Sequence, residues 1–214
     1  MIKNTKTPTY LRRYTDLPSL LHILRTKSLT LLDPATWDDK NDSFFMSLFK
    51  KEKNLKSVLA LCFTQAPETY HHWRVFSNGP SGVCLVFNKS ALLEDFDLNP
   101  EISCGPMEYL TLANARKRGK IQCDELPFVK RYGYKPEHEF RTIYGSKTEQ
   151  ISSLSIPIRI SSIRSISLSP WMHPTLRDST VKAIRENQGC EKLKISRSTL
   201  ISNDEWKRLG AGGK

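Results

Sequence analysis

Short apolar runs separated by turn-forming residues dominate the chain. Continuous runs over residues 58–63 and 83–87 predict buried strands, because a half-buried strand would alternate apolar with polar residues. Further short strands are predicted at residues 10–14, 29–32, 107–112, 140–144, 156–160, 163–168 and 193–195. Residues 97–106 are predicted to form a loop.

Helical periodicity is confined to a few segments. Leucines at helical spacing after Asp16 predict one helix, and aromatic residues from Phe44 to Phe49 predict a second. A basic helix is predicted at residues 113–120 and a later helix at 175–187. Because strands and helices do not alternate strictly, we expect a single α+β domain with a mixed or antiparallel β-sheet and flanking helices. This domain is predicted over residues 10–202, between a flexible N-terminus (1–9) and a flexible C-terminal tail (203–214).

Positive charge is concentrated in the second half of the chain. The 214 residues carry a formal charge of +11, and residues 105–214 hold 20 Lys and Arg against 11 Asp and Glu. Such a field favours an anionic partner, and nucleic acid is the partner considered first. The densest group of candidate nucleic-acid-binding residues is Arg116, Lys117, Arg118 and Lys120. An ordinary solvated surface explains the same charges and is slightly preferred.

Cysteine and histidine patterns argue against a metal site. The five cysteines form no CxxC pair, and adjacent residues such as His71 and His72 do not face one metal from a helix. An apolar leader and a membrane-length apolar run are both missing from this sequence. We therefore expect a cytoplasmic protein with no membrane partner and no metal.

The first candidate segment is the strand that contains Arg12 and Arg13. Tyr14 shares a face with Arg12, while Arg13 projects to the other face, so one arginine can face a cleft beside an aromatic ring. The alternative, in which both arginines are solvent-facing on an edge strand, has equal weight.

The second candidate segment interleaves aromatics with histidine and arginine over residues 69–76. Trp73 and Phe76 suit a wall against a planar ring, and core packing explains both equally well.

The third candidate segment contains Glu137, Glu139 and Arg141. These alternate, so on a strand all three would project from one face. Two neighbouring carboxylates raise the pKa of one of them, and Arg141 opposes that rise. A carboxylate acting on a sugar hydroxyl is one interpretation, and a structural Glu–Arg ladder is the other.

Taken in order, five short motifs resemble the bacterial family called domain of unknown function 2971. That family opens with a Tyr-containing basic strand, a Leu-rich helix and a Phe-Asn-Asp-Pro-Phe-Glu loop. A Cys-Phe-Ser strand, a Met-Trp…Tyr…Gly-Val-Cys block and a Glu-Lys-Glu-x-Arg strand follow. The matching stretches here lie at residues 10–15, 20–24, 37–44, 62–64 with 72–87, and 137–141.

This sequence departs from the family pattern in the loop, where Ser43 and Phe45 replace the family's Pro and Glu. Phe76 stands in place of the family's Tyr, and a His before Gly-Val-Cys is missing.

The family's layout is similar to that of ADP-ribosyltransferase toxins, and this implies NAD as cofactor. By that resemblance Arg13 or Arg12 would hold the adenosine ribose or diphosphate, and an aromatic wall would stack on nicotinamide. Glu139 or Glu137 would hydrogen-bond the nicotinamide ribose and stabilise the oxocarbenium ion. The residues assigned by the resemblance as catalytic are Glu139, Glu137 and Arg13, and as cofactor-binding Arg12, Tyr14, Trp73, Phe76 and Arg141.

Three hypotheses follow. The first is an NAD-dependent ADP-ribosyltransferase acting as a toxin or phage-defence effector, and it requires Arg13, an aromatic ring and Glu139 in one cleft. The second is a nucleic-acid-binding module without catalysis. The third is an inactive regulatory or interaction protein that keeps the family fold, motivated by the altered loop around Ser43.

Overall fold

The computed structural model describes residues 9–77 and 79–212. These residues form eleven strands: β1 (Tyr10–Asp16), β2 (Ser28–Leu32), β3 (Ser57–Thr64), β4 (Gly82–Asn88), β5 (Ile102–Pro106), β6 (Glu108–Leu110), β7 (Val129–Arg131), β8 (Glu139–Ser146), β9 (Ser153–Pro157), β10 (Ile163–Leu168) and β11 (Lys194–Arg197). They also form seven α-helices: α1 (Leu17–Thr26), α2 (Lys40–Glu52), α3 (Tyr70–Phe76), α4 (Lys89–Phe96), α5 (Leu112–Arg118), α6 (Pro174–Arg185) and α7 (Asp204–Gly210). Short 3₁₀ segments lie at Pro34–Thr36, Gly79–Ser81, Cys123–Phe128, Tyr132–Glu137 and Ile160–Ser162.

Nine strands form one sheet, in the order β11-β10-β4-β1-β3-β2-β9, with β8 beside β3 and β5 beside β8. Every pairing in it is antiparallel except β10 with β11. β8 pairs along the whole of β3, whereas β1 meets β3 at its last residue, Thr64, and β2 meets it near its middle, at Ala60. The predicted α+β domain with a mixed, mostly antiparallel sheet is therefore confirmed.

One face of the sheet, here called the core face, carries the main hydrophobic core. Helix α1 begins where the Asp16 carboxylate accepts from the Ser19 amide at 2.8 Å, and its leucines then repeat at helical spacing. Leu20 and Leu24 are buried against the strands, and α4 and α6 contribute Phe96 and Ile184 to the same core.

The opposite face, here called the site face, is covered by α2 and α3. Met46 of α2 packs on Ala60 and Ile143, while Trp73 of α3 packs on Tyr14 and other β1 and β4 side chains. The two helices pack in separate hydrophobic clusters, which leaves room between them for polar side chains on the site face of the sheet.

Three predicted segments differ from the structure. The strand predicted over residues 156–160 is shifted, because β9 covers Ser153–Pro157 and a 3₁₀ segment begins at Ile160. The loop predicted over residues 97–106 is wrong in its second part, because β5 is held there by hydrogen bonds to β8. The predicted tail (203–214) contains α7, which Asn203 caps by accepting from the Trp206 amide. Residues 1–8 of the predicted flexible N-terminus, and residues 213–214 of the tail, lie outside the described residues.

Candidate active site

Strand register brings Arg12 and Glu139 onto the site face in one row. Arg12 pairs with Thr64 of β3, and Thr64 pairs with Glu139 of β8. Directly paired residues project to the same face, so these three side chains lie side by side. Two strand spacings, about 10 Å, separate the Cα atoms of Arg12 and Glu139. Tyr14, two residues after Arg12, projects to the same face.

Arg13 lies on the other side of the sheet, because it follows Arg12 directly in β1. Its Nη1 donates to the Cys62 carbonyl at 3.1 Å, in the gap where β1 and β3 diverge. Burial lowers the pKa of Arg13. The requirement for an arginine on the same face as Glu139 is thus not met by Arg13, and Arg12 meets it instead.

Arg12 keeps donors available for a ligand. Its Nη1 donates to the Ala66 carbonyl at 2.8 Å, and the side chain is half-buried. A guanidinium has five donors in a fixed fork, so one carbonyl does not satisfy it.

Five charged side chains form a buried ion-pair network on the site face, here called the charge cluster: Asp42, Lys130, Glu137, Glu139 and Arg141. Arg141 donates through Nε to Glu139 Oε1 at 2.7 Å. Lys130 Nζ donates to Glu137 Oε2 at 2.8 Å and to Glu139 Oε2 at 3.1 Å. With two cations and three carboxylates, the cluster has a formal charge of −1.

Arg141 is enclosed and has a structural position. It is 0% exposed, donates to Pro127 O at 2.9 Å and grips both oxygens of Asp42. Its guanidinium also lies 4.7 Å from the Trp37 ring centre. The cofactor-binding role assigned to Arg141 stays a prediction, and it would require a ligand to displace these partners.

The two glutamates of the cluster have opposite pKa shifts. Burial by itself would raise the pKa of Glu139, but the charges of Arg141 and Lys130 outweigh burial and hold it at about 2. For Glu137, burial dominates over the single hydrogen bond from Lys130, and its pKa is raised. Glu139 is thus a fixed anion at neutral pH, whereas Glu137 is the carboxyl that exchanges protons more readily.

The backbone between the glutamates is not a continuous strand. His138 adopts a left-handed conformation with φ of 44°, and β8 begins only at Glu139. Glu137 ends the preceding 3₁₀ segment. The expectation that three alternating strand residues share a face therefore holds for Glu139 and Arg141, while Glu137 reaches the cluster from a turn.

An aromatic row of Tyr14, His72 and Phe76 lies beside the cluster. The ring centres of Tyr14 and His72 are 5.4 Å apart, and those of His72 and Phe76 are 5.8 Å apart. Phe76 is 40% exposed, so its ring is open to a ligand, whereas Tyr14 is buried. The accessible Phe76 ring therefore lies next to the buried rings of Tyr14 and His72.

His72 is a site residue that the sequence did not indicate. Its Nε2 lies 3.2 Å from the Glu137 carbonyl, which can only accept, so Nε2 carries the proton. Nδ1 then accepts from the Thr69 hydroxyl at 2.6 Å. Burial lowers the pKa of His72, so the ring is neutral at pH 7. Thr69, three residues before His72, is the helix-capping signal that could have identified a helix here.

Trp73 belongs to the interior and not to the aromatic row. It is 0% exposed, and its Nε1 donates to Glu68 Oε1 at 2.6 Å. Its ring meets Tyr14 edge-on at 5.0 Å. The stacking role assigned to Trp73 stays a prediction, and it would require the protein that covers both faces of the ring to move.

The basic residues of α5 do not all present free charge. Arg118 pairs with Glu108 at 2.6 Å and also with Glu125. Arg116, Lys117 and Lys120 are exposed as well, and none of the three forms an ion pair with a residue that the structure describes. Arg118 therefore links the basic segment to Glu108 and Glu125, and the positive potential outside the segment comes from the other three residues.

The basic segment adjoins the charge cluster through the small parallel pair of β6 and β7. Tyr109 of β6 lies opposite Lys130 of β7, and the Tyr109 hydroxyl accepts from the Glu139 amide at 2.7 Å. Thr111 then caps α5 by accepting from the Asn114 amide. The sequence did not place Lys130 or Tyr109 beside Glu139, because only this strand pairing brings them together.

Open space lies elsewhere on the molecule. A cleft of about 450 Å³ lies between α1 and α6, and another of about 340 Å³ lies between α6 and β11. Neither is lined by the charge cluster. Glu139 is 5% exposed and His72 is 1% exposed, so the candidate site is closed.

Within residues 9–77 and 79–212, no three His, Cys, Asp or Glu side chains are grouped so that they could hold a metal ion. None of the helices in those same ranges is both long enough and apolar enough to cross a membrane.

Comparison with known proteins gives only distant likeness. No family model matches the chain, and no curated protein matches it, so membership in the domain of unknown function 2971 family is not confirmed. Three solved structures of DarT from Thermus sp. 2.9 are similar to it. The complex with ADP-ribosylated ssDNA is 11% identical, with a TM-score of 0.48, and the match covers 92% of this chain and 98% of that one. The complex with NAD⁺ is 12% identical, with a TM-score of 0.47, and the match covers 90% and 96%. The complex with carba-NAD⁺ is also 12% identical, with a TM-score of 0.46 and coverage of 90% and 97%.

Proposed function

We propose that this chain transfers ADP-ribose from NAD to an acceptor, with the site-face row of Arg12 and Glu139 as its centre. The observation that carries the proposal is the shared face: a guanidinium with free donors and a permanently ionised carboxylate lie two strands apart. The aromatic row lies next to them, with the Phe76 ring accessible. A cation donor, an accessible ring and an anion are the three groups that a dinucleotide with a positively charged ring requires.

Each group has a matching part of NAD. Arg12 would bind the diphosphate through its guanidinium fork, which suits phosphate oxygens. Phe76 would stack on the nicotinamide ring. Glu139 would lie against the adjoining ribose.

NAD, when bound, supplies the ADP-ribosyl group, since the bond from nicotinamide to ribose breaks and nicotinamide leaves with the electron pair. Glu139 is suited to the positive charge that develops on the ribose, because Arg141 and Lys130 keep it ionised and fixed. The raised pKa of Glu137 suits it to accept the proton that the attacking acceptor loses. His72 positions Glu137 through the carbonyl of that residue.

Binding requires the cover of the cluster to open. Lys130 of β7 lies 4.6 Å from the ring centre of Tyr134, and Tyr134 is an exposed residue of the 3₁₀ segment that ends at Glu137. Movement of the Tyr132–Glu137 segment would uncover Glu139 without disturbing the strands.

The acceptor proposed is nucleic acid. Helix α5 begins directly after β6, whose Tyr109 touches the Glu139 backbone. Its exposed basic side chains would hold a phosphate backbone beside the reacting carboxylate.

The test is nicotinamide release from NAD, measured by chromatography with and without a single-stranded oligonucleotide. Glu139→Gln keeps the size of the side chain and removes its charge, so release should fall about 100-fold or more. Glu205→Gln is the matched control, because Glu205 is exposed on α7 and far along the chain from the cluster. Equal rates in wild type and Glu139→Gln, or no release by the wild type, would reject the proposal.

A second candidate function is a nucleic-acid-binding module without catalysis. The closed, fully paired charge cluster favours it, because Glu139 has both oxygens engaged and could serve stability alone. Oligonucleotide binding with no nicotinamide release would support this alternative.

A further inference from the structure

The cleft between α6 and β11 is lined by cations and hydroxyls. It has a volume of about 340 Å³, and two arginines face it from opposite walls, Arg177 of α6 and Arg197 of β11. The hydroxyl-bearing lining residues are Ser196, Ser198, Thr199 and Ser202. The lining contains no carboxylate, so the chemistry of the cleft is that of an anion receptor.

Arg197 has donor capacity that the protein does not use. Its Nη2 donates to the Pro170 carbonyl at 2.5 Å, which fixes one end of the guanidinium. Its Nε is buried and has no hydrogen-bond acceptor among residues 9–77 and 79–212. A buried donor of a charged group left without a partner is costly, so the position favours an anion that neutralises the guanidinium.

Neighbouring charges leave the cleft positive. Lys207 of α7 adds a third cation, since its Nζ donates to the Ser202 hydroxyl at 2.7 Å. The two acidic neighbours are Asp178, which pairs with Arg177 at 2.8 Å, and Asp204, which is 3.4 Å from Lys207. Both carboxylates are largely exposed, so water screens them more than it screens Arg197.

The cleft is separate from the charge cluster. Arg197 pairs with Leu168, Leu168 with Val83, and Val83 with Thr15. Because paired residues share a face, Arg197 lies on the core face, opposite Arg12. β11 is also the last strand of the sheet, three positions from β1.

We propose that this cleft binds a phosphate group. A tetrahedral oxyanion can accept from two guanidinium groups and several hydroxyls at once, which a monovalent halide cannot do. The phosphate would belong either to a small phosphomonoester or to a nucleic-acid backbone. This site is independent of the proposed transfer chemistry and does not rest on it.

The test is an NMR titration of the full chain with inorganic phosphate, against chloride at equal ionic strength. Backbone amide signals of residues 196–199 should shift and saturate with phosphate only. Arg177→Gln should weaken phosphate binding about tenfold, because it removes a hydrogen-bonding charged group. Arg185→Gln is the matched control, since Arg185 is an exposed arginine of the same helix outside the cleft.

A second variant keeps the test independent of folding. Arg197→Lys keeps the positive charge but loses the guanidinium fork and the hydrogen bond to the Pro170 carbonyl, so it should weaken phosphate binding. Arg177→Gln tests the same site and leaves the Pro170 contact unchanged. Non-saturable shifts, or equal weakening by Arg185→Gln, would overturn the proposal. Nicotinamide release by Arg177→Gln should equal that of wild type, which separates this site from the transfer chemistry.

Two further ligands identify the source of the phosphate. A nucleoside monophosphate that displaces inorganic phosphate, with no displacement by an oligonucleotide lacking terminal phosphates, assigns the cleft to small phosphomonoesters. Displacement by that oligonucleotide assigns it to a nucleic-acid backbone. Failure of both to displace inorganic phosphate would count against the site as a receptor for phosphate esters.

Discussion

Arg141 and Asp42 form a bidentate ion pair in the interior, with Nη1–Oδ1 and Nη2–Oδ2 distances of 2.8 and 2.6 Å. The pair joins β8 to the first turn of α2. Asp39 caps that helix by accepting from the Asn41 amide at 3.0 Å, so the turn that carries Asp42 is fixed at its start. The ion pair therefore fixes the position of the Arg141 guanidinium, which in turn donates to Glu139.

Breaking this pair should destabilise the protein strongly. Asp42→Asn leaves the Arg141 charge buried with one carboxylate fewer, and we expect a loss of about 3–5 kcal/mol in the free energy of unfolding. Urea denaturation followed by far-UV circular dichroism measures it. The exposed Asp38→Asn should behave as wild type, and equal effects from the two variants would contradict the buried geometry.

Acid should weaken the contribution of Glu139. Its folded pKa of about 2 lies below the ordinary value of 4.5, so its ionisation stabilises the fold above pH 4.5, and this stabilisation is lost as pH falls toward 2. The stability gap between wild type and Glu139→Gln should therefore shrink over that range, by about 3 kcal/mol. Denaturation curves at several pH values test this, and a constant gap would disprove the shift.

The contribution of Glu137 to stability should change with pH in the opposite direction to that of Glu139. Its raised pKa means that the protonated form is favoured by folding, so its contribution is present below its ordinary pKa and is lost as pH rises. Glu137→Gln should become more stable relative to wild type as pH increases from 4 to 7. The same denaturation series measures both glutamates, and parallel trends would refute the assignment.

The two aromatic candidates on α3 should separate stability from ligand binding. Phe76→Ala should weaken NAD binding about fivefold, because stacking on an exposed ring is lost. Trp73→Phe should lower stability through the lost bond to Glu68 and leave NAD affinity unchanged. Calorimetric titration in the Glu139→Gln background, which prevents turnover, compares them. Reversed effects would place Trp73 and not Phe76 in the site.

Salt dependence should distinguish the basic residues of α5. Arg116→Ala and Lys117→Ala should each reduce the salt slope of oligonucleotide binding by about 1. Arg118→Ala should leave the slope unchanged, because its charge is already paired with Glu108 and Glu125. Fluorescence anisotropy from about 50 to 200 mM salt measures the slopes. A drop for Arg118→Ala equal to the others would show that the ion pairs do not persist in solution.

A glycine substitution should perturb the accessible end of α3. A Cβ on Gly82 would lie 2.6 Å from the Ser77 hydroxyl and 3.1 Å from the Gly79 carbonyl. Ser77 donates to the Trp73 carbonyl, so Gly82→Ala should loosen the segment after Phe76 and cost about 1–3 kcal/mol. Gly133→Ala is the control, since nothing lies within 4 Å of its added Cβ. Thermal unfolding compares the two, and an unaffected Gly82→Ala would contradict the close packing.

The buried strands could be predicted because their apolar runs are local signals. The runs at residues 58–63 and 83–87 became β3 and β4 with ends shifted by one residue. β5 was missed because Ser103, Gly105 and Pro106 are poor strand formers, and pairing with β8 overrides that preference. Helix α3 was missed because six of its seven residues are aromatic or basic, and such a composition gives little helical periodicity.

The candidate site was less predictable than the fold. The alternation in β1 correctly separated Arg12 from Arg13, but which of them shares a face with Glu139 depends on how β1, β3 and β8 pair. The partners of Glu139 come from distant parts of the chain: Lys130 through the β6–β7 pair and Asp42 through α2. A left-handed residue such as His138 has no reliable sequence signature when it is not glycine.

The separation of Asp42 from Arg141 along the chain has a consequence for synthesis. The two residues are 99 positions apart, so Asp42 leaves the ribosome about 5 to 20 s before its partner. Until then the Asp42 carboxylate stays in water, because its partner Arg141 has not been made. Helix α2 therefore lacks the ion pair that joins it to β8. A nascent chain therefore acquires the candidate site only after β1 to β5 of the main sheet have been translated.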